Sequence, residues 1–399
     1  MSCHMLLVGR SRQVHAKAKQ LGMKLSMLIP MSKLQTPNRL NLYDRLVGLP
    51  ATAPVEEWVA AAHMIHRSDP IDAIGGFNEV FQGYAATISR ALQIPFHVPE
   101  VIRRIGKKDE MRRVLRENGL DPTPSLLVTS PDEIAAFGED YGYPLVIKPV
   151  DGRGSLGVSI VRNSREIPAA LDWFNTWSPG YGMLVEKFLE GEEYSVEAFS
   201  ERGRHRVVCV TQKFKDPITS VETGHCLPAP ITDDTHTLIA HFVTRALTVL
   251  GLENGPSHTE VILTGDGPRI VETHARLGGD SIVDLIQLVS GTDLDELWIR
   301  QTAGEQVFDE VPSRLDRFAA IYFVTPRGMG TLERVERVED ASSMAGVVRV
   351  EVLQDLGTKV QGAYDSFSRG ACVIAVGDTS TEATVRAQKA AEHLRFVVS

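Results

Sequence analysis

The sequence is poor in cysteine, and its cysteines follow no pattern that would organise a fold. The 399 residues include four, at positions 3, 209, 226 and 372, with no C-x-x-C pair. This wide spacing predicts reduced thiols and disfavours a disulfide framework or a zinc site. Long apolar runs are also lacking, since no segment approaches the ~18 uninterrupted apolar residues of a membrane span. The first apolar run is too short and wrongly flanked for a signal peptide, so we expect a cytoplasmic protein with no membrane partner.

Positive charge is the second deficit. Lysine and arginine number 42 against 51 aspartates and glutamates, and the formal net charge is −9. This balance disfavours nonspecific binding to nucleic acid or acidic membranes, so an anionic ligand requires positive charge concentrated locally. A hydrophobic content of 43% and a charged content of 23% are ordinary for a globular protein. At this length the chain can form two or three packed domains.

The first hundred residues alternate short apolar strands with helices. The pattern predicts strands at 6–8, 24–29 and 71–74 and helices at 15–21, 55–65 and 79–92. This alternation indicates a parallel sheet with helices on its faces, in which ligands bind at the carboxyl ends of the strands. Glu79 follows the third strand and lies in that zone.

The pattern becomes mixed beyond residue 104. It predicts strands at 183–188, 319–324 and 347–352 and helices at 110–118, 167–177, 235–251 and 381–394. We predict an N-terminal α/β domain over 1–104, a central lid domain with a glycine-rich hairpin over 105–199, and a C-terminal mixed-sheet domain over 200–399. This last domain would hold a metal site and end in a small C-terminal subdomain. The fold class is α/β, and α+β overall.

A glycine-rich loop after residue 150 contains G-x-G-x-x-G at Gly152, Gly154 and Gly157. A dinucleotide-binding fingerprint needs a helix after these glycines, whereas a β-branched run follows here, so the segment predicts strand, loop, strand. A Walker A loop is excluded because no Lys-Ser/Thr pair follows, and the protein-kinase motifs H-R-D and D-F-G are absent. Lys148 ends the incoming strand, where it is placed to bind phosphate; the alternative is a solvated surface charge. The loop favours a nucleoside triphosphate.

An apolar strand over 184–189 runs into a charged connector that Gly191 breaks. Such connectors present backbone N–H and C=O groups to an adenine edge, and a nearby carboxylate holds the ribose hydroxyls. The alternative is a strand end with a solvated acidic loop.

Two glutamates, Glu260 and Glu272, flank a glycine turn in a predicted β-hairpin. A three-residue turn would pair Thr264 with Pro268, Ile262 with Ile270, and Glu260 with Glu272. The two Cβ atoms would lie about 5 Å apart, with a carboxylate repulsion of roughly 3 kcal/mol at an effective dielectric near 20. This pair predicts a bound cation, and Mg²⁺ fits. A two-residue turn would shift the register by one residue, and we would then expect Glu260 opposite Thr273. The alternative to a metal site is a solvated strand on which the two acids have no shared role.

Two polar residues follow on the same alternation as Glu272. The planar guanidinium of Arg276 would lie near the metal, where it could bind a phosphate or a carboxylate. A structural hydrogen bond is the favoured interpretation for His274.

The segment 219–230 places Glu222, His225 and Cys226 in a predicted loop of the kind that covers an active site. A Cys226 nucleophile activated by His225 is disfavoured, because adjacent side chains usually diverge.

Taken in order, these segments resemble the ATP-grasp superfamily of carboxylate–amine ligases. The resemblance covers most of the chain and rests on the α/β N-terminal domain, Lys108, Lys148 with the glycine hairpin, the connector at 186–193, and Glu260 and Glu272 followed by His274 and Arg276. The run E-T-H-A-R-L-G-G-D at 272–280 is most similar to the L-amino-acid ligase, or dipeptide synthetase, branch. The common superfamily pattern has asparagine where this chain has His274.

The resemblance implies an ATP-grasp fold and a reaction in which a carboxylate takes the γ-phosphate of ATP and an amine then displaces phosphate to give an amide. It implies ATP and Mg²⁺, or Mn²⁺ in its place, as cofactors, amino acids or small carboxylates as substrates, and a homodimer. The implied ATP-binding residues are Lys108, Lys148, Gly154, Ser155, Gly157, Glu186, Lys187, Phe188, Leu189 and Glu193. The implied metal ligands are Glu260 and Glu272, the catalytic residues Lys148 and Arg276, and the substrate-binding residues Glu79, Glu222, His225, His274 and Arg276.

Three alternatives stand beside a peptide-forming ligase. The first is another carboxylate–amine ligase, which charges a carrier protein or acts in purine synthesis. The second is a biotin-dependent carboxylase subunit. The third is a nonenzymatic ATP-binding regulator, which the two glutamates and Arg276 disfavour.

Overall fold

The computed structural model describes residues 2–10, 12–34, 41–152, 154, 156–216, 221–326, 328–360 and 368–399. Its first strands are β1 (His4–Val8), β2 (Lys24–Pro30), β3 (Arg45–Leu49) and β4 (Ala73–Gly75), and its first helices are α1 (Arg12–Gln20), α2 (Val55–Ser68), α3 (Glu79–Leu92) and α4 (Pro99–Gly106). The strands form a parallel sheet in the order β3-β2-β1-β4. The predicted alternation is confirmed, and the sheet positions Glu79 at the first residue of α3, just beyond β4.

Strand β3 is absent from the sequence prediction. It lies at the edge of the sheet, where four of its five residues are only half-buried and a glycine interrupts the apolar run. An edge strand of this kind lacks the continuous hydrophobic pattern that identifies a buried parallel strand.

The central part of the chain folds as an antiparallel sheet with helices packed against it. Its elements are α5 (Lys108–Glu117), β5 (Ser125–Val128), α6 (Pro131–Tyr141), β6 (Leu145–Pro149), β7 (Ser159–Val161), α7 (Ile167–Trp177) and β8 (Met183–Lys187), with the strand order β5-β8-β6-β7. Strands β6 and β7 pair in antiparallel fashion, with Ile147 opposite Ser159. The glycine-rich loop therefore joins two strands of a hairpin, as predicted, and no helix follows it.

The C-terminal part is built on an eight-stranded sheet in the order β13-β12-β9-β10-β11-β14-β18-β16. Its strands are β9 (Glu192–Glu201), β10 (Arg204–Lys215), β11 (Glu222–Leu227), β12 (Gly255–Thr264), β13 (Gly267–His274), β14 (Phe318–Val324), β16 (Val347–Val352) and β18 (Ala371–Gly377). A three-stranded sheet contains β15 (Gly330–Glu336), β17 (Lys359–Val360) and β19 (Arg395–Val398), and the helices are α8 (Asp233–Leu250), α9 (Ile282–Ser290), α10 (Leu294–Thr302), α11 (Val338–Ser342) and α12 (Ser380–His393). Strand β9 is continuous across residue 199, and the domain boundaries at 104/105 and 199/200 stay predictions of the sequence.

The β12–β13 hairpin has a shorter turn than predicted. Thr264 pairs with Gly267, which makes a two-residue turn, and Val261 pairs with Ile270. In a ladder without a bulge, this register would place Glu260 opposite Val271. The expectation that a two-residue turn pairs Glu260 with Thr273 is therefore wrong. A bulge at Val271 shifts the register by one residue and sets Glu260 opposite Glu272. The predicted pair of facing glutamates is thus confirmed, whereas the predicted turn is corrected.

No helix in the described part of the chain has both the length and the apolar character to cross a membrane.

Candidate active site

A cavity of about 540 Å³ lies between the lid hairpin and strands β12 and β13. Many of the residues that the sequence predicts for ATP and metal binding line it: Lys108, Lys148, Gly154, Glu186, Lys187, Phe188, Leu189, Glu193, Glu260 and Glu272. Ser155 lies outside the described residues. Gly157 packs against Ser178, whose Oγ leaves no room for a Cβ at this position, and its φ of +73° also favours glycine.

A buried carboxylate holds one of the two predicted phosphate-binding lysines. Glu186 lies 3% exposed on β8, and its Oε2 is 2.6 Å from Lys148 Nζ. Arg112 Nε donates to Glu186 Oε1 at 2.8 Å, and Arg112 also donates to buried Asp121 at 3.0 Å. The sequence analysis missed Arg112, although its position four residues after Lys108 on α5 puts the two on one helix face. The side chain of Glu186 is therefore paired with two cations, Arg112 and Lys148. Its predicted contact with adenine would be made by its backbone.

The facing glutamates are each paired with a lysine. Glu272 Oε2 is 2.8 Å from Lys108 Nζ, and Glu260 Oε1 is 2.5 Å from Lys213 Nζ. Burial alone would raise the pKa of Glu272, but the charges of Lys108 and His274 outweigh it and hold that pKa well below its usual range. Both carboxylates are ionised at neutral pH, as ligands of a divalent cation must be.

Lys213 stands at the centre of a wider acidic cluster that the sequence did not reveal. Its ammonium contacts the carboxylates of Glu193, Glu222 and Glu260, and its side chain is 4% exposed. Burial would lower the pKa of Lys213, but the three carboxylates raise it well above its usual value. The oxygens of these glutamates lie within 4.8 Å of one another, and the ammonium of Lys213 contacts all three carboxylates in the place of a metal ion.

Replacing Lys213 with Met should lower the free energy of unfolding by about 2 kcal/mol, because three partly buried carboxylates lose their counterion. Added MgCl₂ should recover part of this loss, since a bound cation stabilises the folded state. Urea unfolding with and without MgCl₂ measures both effects. Lys215→Met is the matched control, because Lys215 follows on the same strand and pairs with Glu193 while 34% exposed. Equal losses in the two variants, unaffected by Mg²⁺, would contradict this role of Lys213.

A chain of polar contacts joins β13 to the N-terminal sheet. His274 Nε2 is 3.1 Å from Glu272 Oε1, and His274 Nδ1 is 3.2 Å from Glu79 Oε1. Arg276 Nε donates to Glu79 Oε2 at 2.9 Å. The structure thus brings together four of the residues that the sequence predicts for metal and substrate binding, although Glu79 lies 197 residues before Arg276.

A second cavity of about 420 Å³ opens on the other side of this contact chain. Arg276 and Asp280 line it from the segment after β13, and Phe77 and Trp298 supply aromatic surface. Since Glu272 lines the first cavity and Arg276 the second, the polar contacts mark where the two cavities approach each other.

The predicted loop around His225 is a strand. Glu222–Leu227 forms β11 between β10 and β14, while residues 219 and 220 lie outside the described part. Most of this strand is buried on both faces, so its residues do not alternate between apolar and polar, and the sequence pattern did not predict a strand. His225 Nε2 is 3.7 Å from both Glu222 and Asp280. Cys226 Sγ instead contacts the backbone oxygen of Ser380, and burial raises the thiol pKa to about 11, so a thiolate nucleophile is disfavoured.

Arg369 is the third charged residue that the sequence analysis missed. It immediately precedes Gly370 and β18, and its Nη1 donates to Asp280 Oδ2 at 2.7 Å. No local motif marks it, because a lone arginine before a strand is usually a surface residue.

Comparison with known families agrees with this geometry. Residues 141–284 match the ATP-grasp domain, and residues 322–399 match the L-amino acid ligase C-terminal domain 2. The chain is 27% identical over 352 residues to an uncharacterized protein of Sinorhizobium fredii, covering 87% of this chain and 73% of that protein. It is 26% identical over 271 residues to the alanine–anticapsin ligase of Bacillus subtilis, covering 62% of this chain and 56% of that enzyme. The match thus spans just over half the length of that ligase.

The fold is also shared with solved structures. The L-amino acid ligase from Bacillus licheniformis superposes with a TM-score of 0.86 at 23% identity, over 100% of this chain and 99% of that one. A phosphoribosylglycinamide synthetase from Anaerococcus prevotii superposes with a TM-score of 0.73 at 17% identity, over the full length of both chains. These likenesses identify the ATP-grasp fold.

Proposed function

Since the chain belongs to the ATP-grasp superfamily and carries an L-amino acid ligase C-terminal domain, we propose that it is an ATP-dependent carboxylate–amine ligase that joins two amino acids. The carboxylate of the first would attack the γ-phosphorus of ATP, forming an acyl phosphate and releasing ADP. The amine of the second would attack the acyl carbon, forming the amide and releasing phosphate.

The observation that carries this proposal is the contact chain Glu272–His274–Glu79–Arg276. It connects the cavity with the lysines and the glycine hairpin to a second cavity with an arginine and aromatic walls. A γ-phosphate held near Glu272 would therefore lie next to a carboxylate held near Arg276. Phosphoryl transfer requires this proximity, and the arginine would stabilise the charge that develops on the acyl phosphate.

The nucleotide roles follow from the lining of the first cavity. Lys108 and Lys148 would bind the phosphates, the glycine hairpin would close over them, and residues 186–189 would frame adenine, with Glu193 near the ribose. Glu260 and Glu272 would hold Mg²⁺, which supplies charge neutralisation at the transferred phosphate. Closure of the hairpin would exclude water, which otherwise hydrolyses the acyl phosphate. Mn²⁺ in place of Mg²⁺, the homodimer and the cytoplasmic location also stay predictions.

The C-terminal domain favours amino acids over the other substrates of this fold. A phosphoribosylglycinamide synthetase, a biotin carboxylase domain and an N5-carboxyaminoimidazole synthase share the fold with this chain at 14–18% identity. This similarity extends to the fold and not to the substrate. The acidic side chains of the second cavity, including Asp280 and Asp284, suit the ammonium group of an amino acid.

The test is ADP release with single amino acids, amino-acid pairs and bicarbonate, each with MgATP. We expect pair-dependent ADP release and a dipeptide of matching mass. With hydroxylamine replacing the second amino acid, an amino-acid hydroxamate should form from the trapped acyl phosphate. ADP release that depends on bicarbonate, or none with any amino acid, would overturn the proposal.

A further inference from the structure

Arg369 is almost wholly buried beside the second cavity. Its side chain is 3% exposed, and its guanidinium lies over the Phe323 ring, 3.9 Å from the centroid. Nη1 donates to Asp280, whose side chain is 38% exposed and lines the cavity. Nη2 lies 3.8 Å from Glu222 Oε2. Arg369 thus places a cation of the C-terminal domain beside Glu222, a residue that the sequence predicts for substrate binding.

This guanidinium is incompletely satisfied. Within the described part of the chain, Nε and Nη2 of Arg369 donate no hydrogen bond, and neither ring nitrogen of neighbouring His225 has a hydrogen-bond partner. An N–H group buried without a partner costs about 1–3 kcal/mol, so native proteins rarely leave several of them in one place. The two Arg369 donors, together with a His225 ring that offers one donor and one acceptor when neutral, lie around Glu222 and Asp280 and indicate a place for a polar ligand.

The two amino acids of the proposed reaction need different partners. The first must bring its carboxylate to the phosphate, so its other charge is an ammonium group, which carboxylates bind. The second must offer an uncharged amine to the acyl carbon, so its remaining charge is a carboxylate. That carboxylate needs a cation that is not occupied by the nucleotide or by the acyl phosphate.

Most cations of the site are already engaged elsewhere. Lys108 and Lys148 line the nucleotide cavity, where the phosphates of ATP would bind. Arg276 lies at the junction of the two cavities, where the acyl phosphate would form. Arg369 instead bonds Asp280, which lines the second cavity, and its planar fork suits a carboxylate.

We propose that Arg369 binds the carboxylate of the amine-donating amino acid. This inference rests on the proposed ligase function and adds a specificity residue from the C-terminal domain. Glu222 and Asp280 hold the guanidinium in place, and the ring of Phe323 fixes its plane. An arginine stacked and oriented in this way loses little conformational entropy when it binds.

The experiment compares Arg369→Met with three nucleophiles: an amino acid that the unaltered protein accepts, the amide of that amino acid, and hydroxylamine. With the amino acid, kcat/KM should fall roughly 10- to 100-fold, as expected for a lost charged hydrogen bond. With the amide the variant should match the unaltered protein, because no carboxylate is present. Hydroxamate formation should likewise persist, which also shows that the variant is folded.

Arg349→Met is the matched control. Arg349 also comes from the C-terminal domain and bonds Asp284 at 2.7 Å in the same segment, but its side chain is 39% exposed. Its loss should affect all three nucleophiles equally. Arg369→Lys, which keeps the charge without the planar fork, should give an intermediate loss with the amino acid alone and serves where the Met variant does not fold.

The outcomes separate this inference from the ligase proposal. If the unaltered protein forms neither peptide nor hydroxamate, the ligase proposal fails. If it forms both, but the Arg369 variants lose activity equally with the amino acid and its amide, Arg369 has a structural role and this inference alone is overturned.

Discussion

Replacing Glu272 with Gln is expected to reduce ADP formation by roughly 10³-fold, since a metal ligand at a transferred phosphate contributes several kcal/mol to transition-state stabilisation. Gln keeps the size of the side chain but removes the charge that faces Lys108 and Glu260. The bulge at Val271 places the Glu272 carboxylate opposite Glu260. Because Gln leaves the backbone of the hairpin unchanged, the loss of activity should come from the missing carboxylate. Initial rates of ADP release with saturating amino acids measure the loss.

Asp266→Asn is the control for this prediction. Asp266 lies exposed in the turn of the same hairpin, so it undergoes the same change from carboxylate to amide without facing the cavity. The control should keep normal rates, and both variants should show normal circular dichroism. Turnover of the Glu272 variant close to that of the Asp266 variant would refute the metal-ligand assignment.

Sequence reasoning succeeded where local patterns decide the structure. The β-branched run after Gly157 predicts the lid hairpin, and β6 and β7 confirm it. The two glutamates on one hairpin predict a facing pair, which the register confirms. The turn was wrong because glycine at both 265 and 267 permits either loop length, and a bulge has no signature in the residues around Val271.

The remaining features of the site depend on contacts between distant segments. Arg112 reaches Glu186 across 74 residues, Lys213 reaches Glu260 across 47, and Arg369 reaches Asp280 across 89. Periodicity indicates which face of a helix or strand is buried, but it does not identify the charged partner on another element. The structure therefore identifies the counterions of carboxylates that the sequence had already suggested as parts of ligand sites.

Glu186 is a residue whose charged partners lie on other elements and were not identified from the sequence. Its replacement should have a large effect on stability. Glu186→Gln should lower the free energy of unfolding by about 4 kcal/mol, because Arg112 and Lys148 are buried cations that would each lose a charged partner. Arg112 keeps Asp121, whereas the ammonium of Lys148 loses the carboxylate 2.6 Å away. If Glu186 served only at the adenine edge, the same change would raise the KM for ATP and leave stability unaltered.

The pH dependence provides a second measurement of the same network. Burial alone would raise the pKa of Glu186, but Arg112 and Lys148 lower it from 4.5 to about 2. A carboxylate with a depressed folded-state pKa contributes stability fully above its unfolded pKa and loses that contribution as the pH falls through the folded value. The stability difference between the unaltered protein and Glu186→Gln should therefore be constant above pH 4.5 and shrink towards pH 2. Glu190→Gln, an exposed neighbour in the same connector, should show neither effect in urea unfolding. A difference that stays constant from pH 4.5 to 2 would show that the charge of Glu186 does not stabilise the fold.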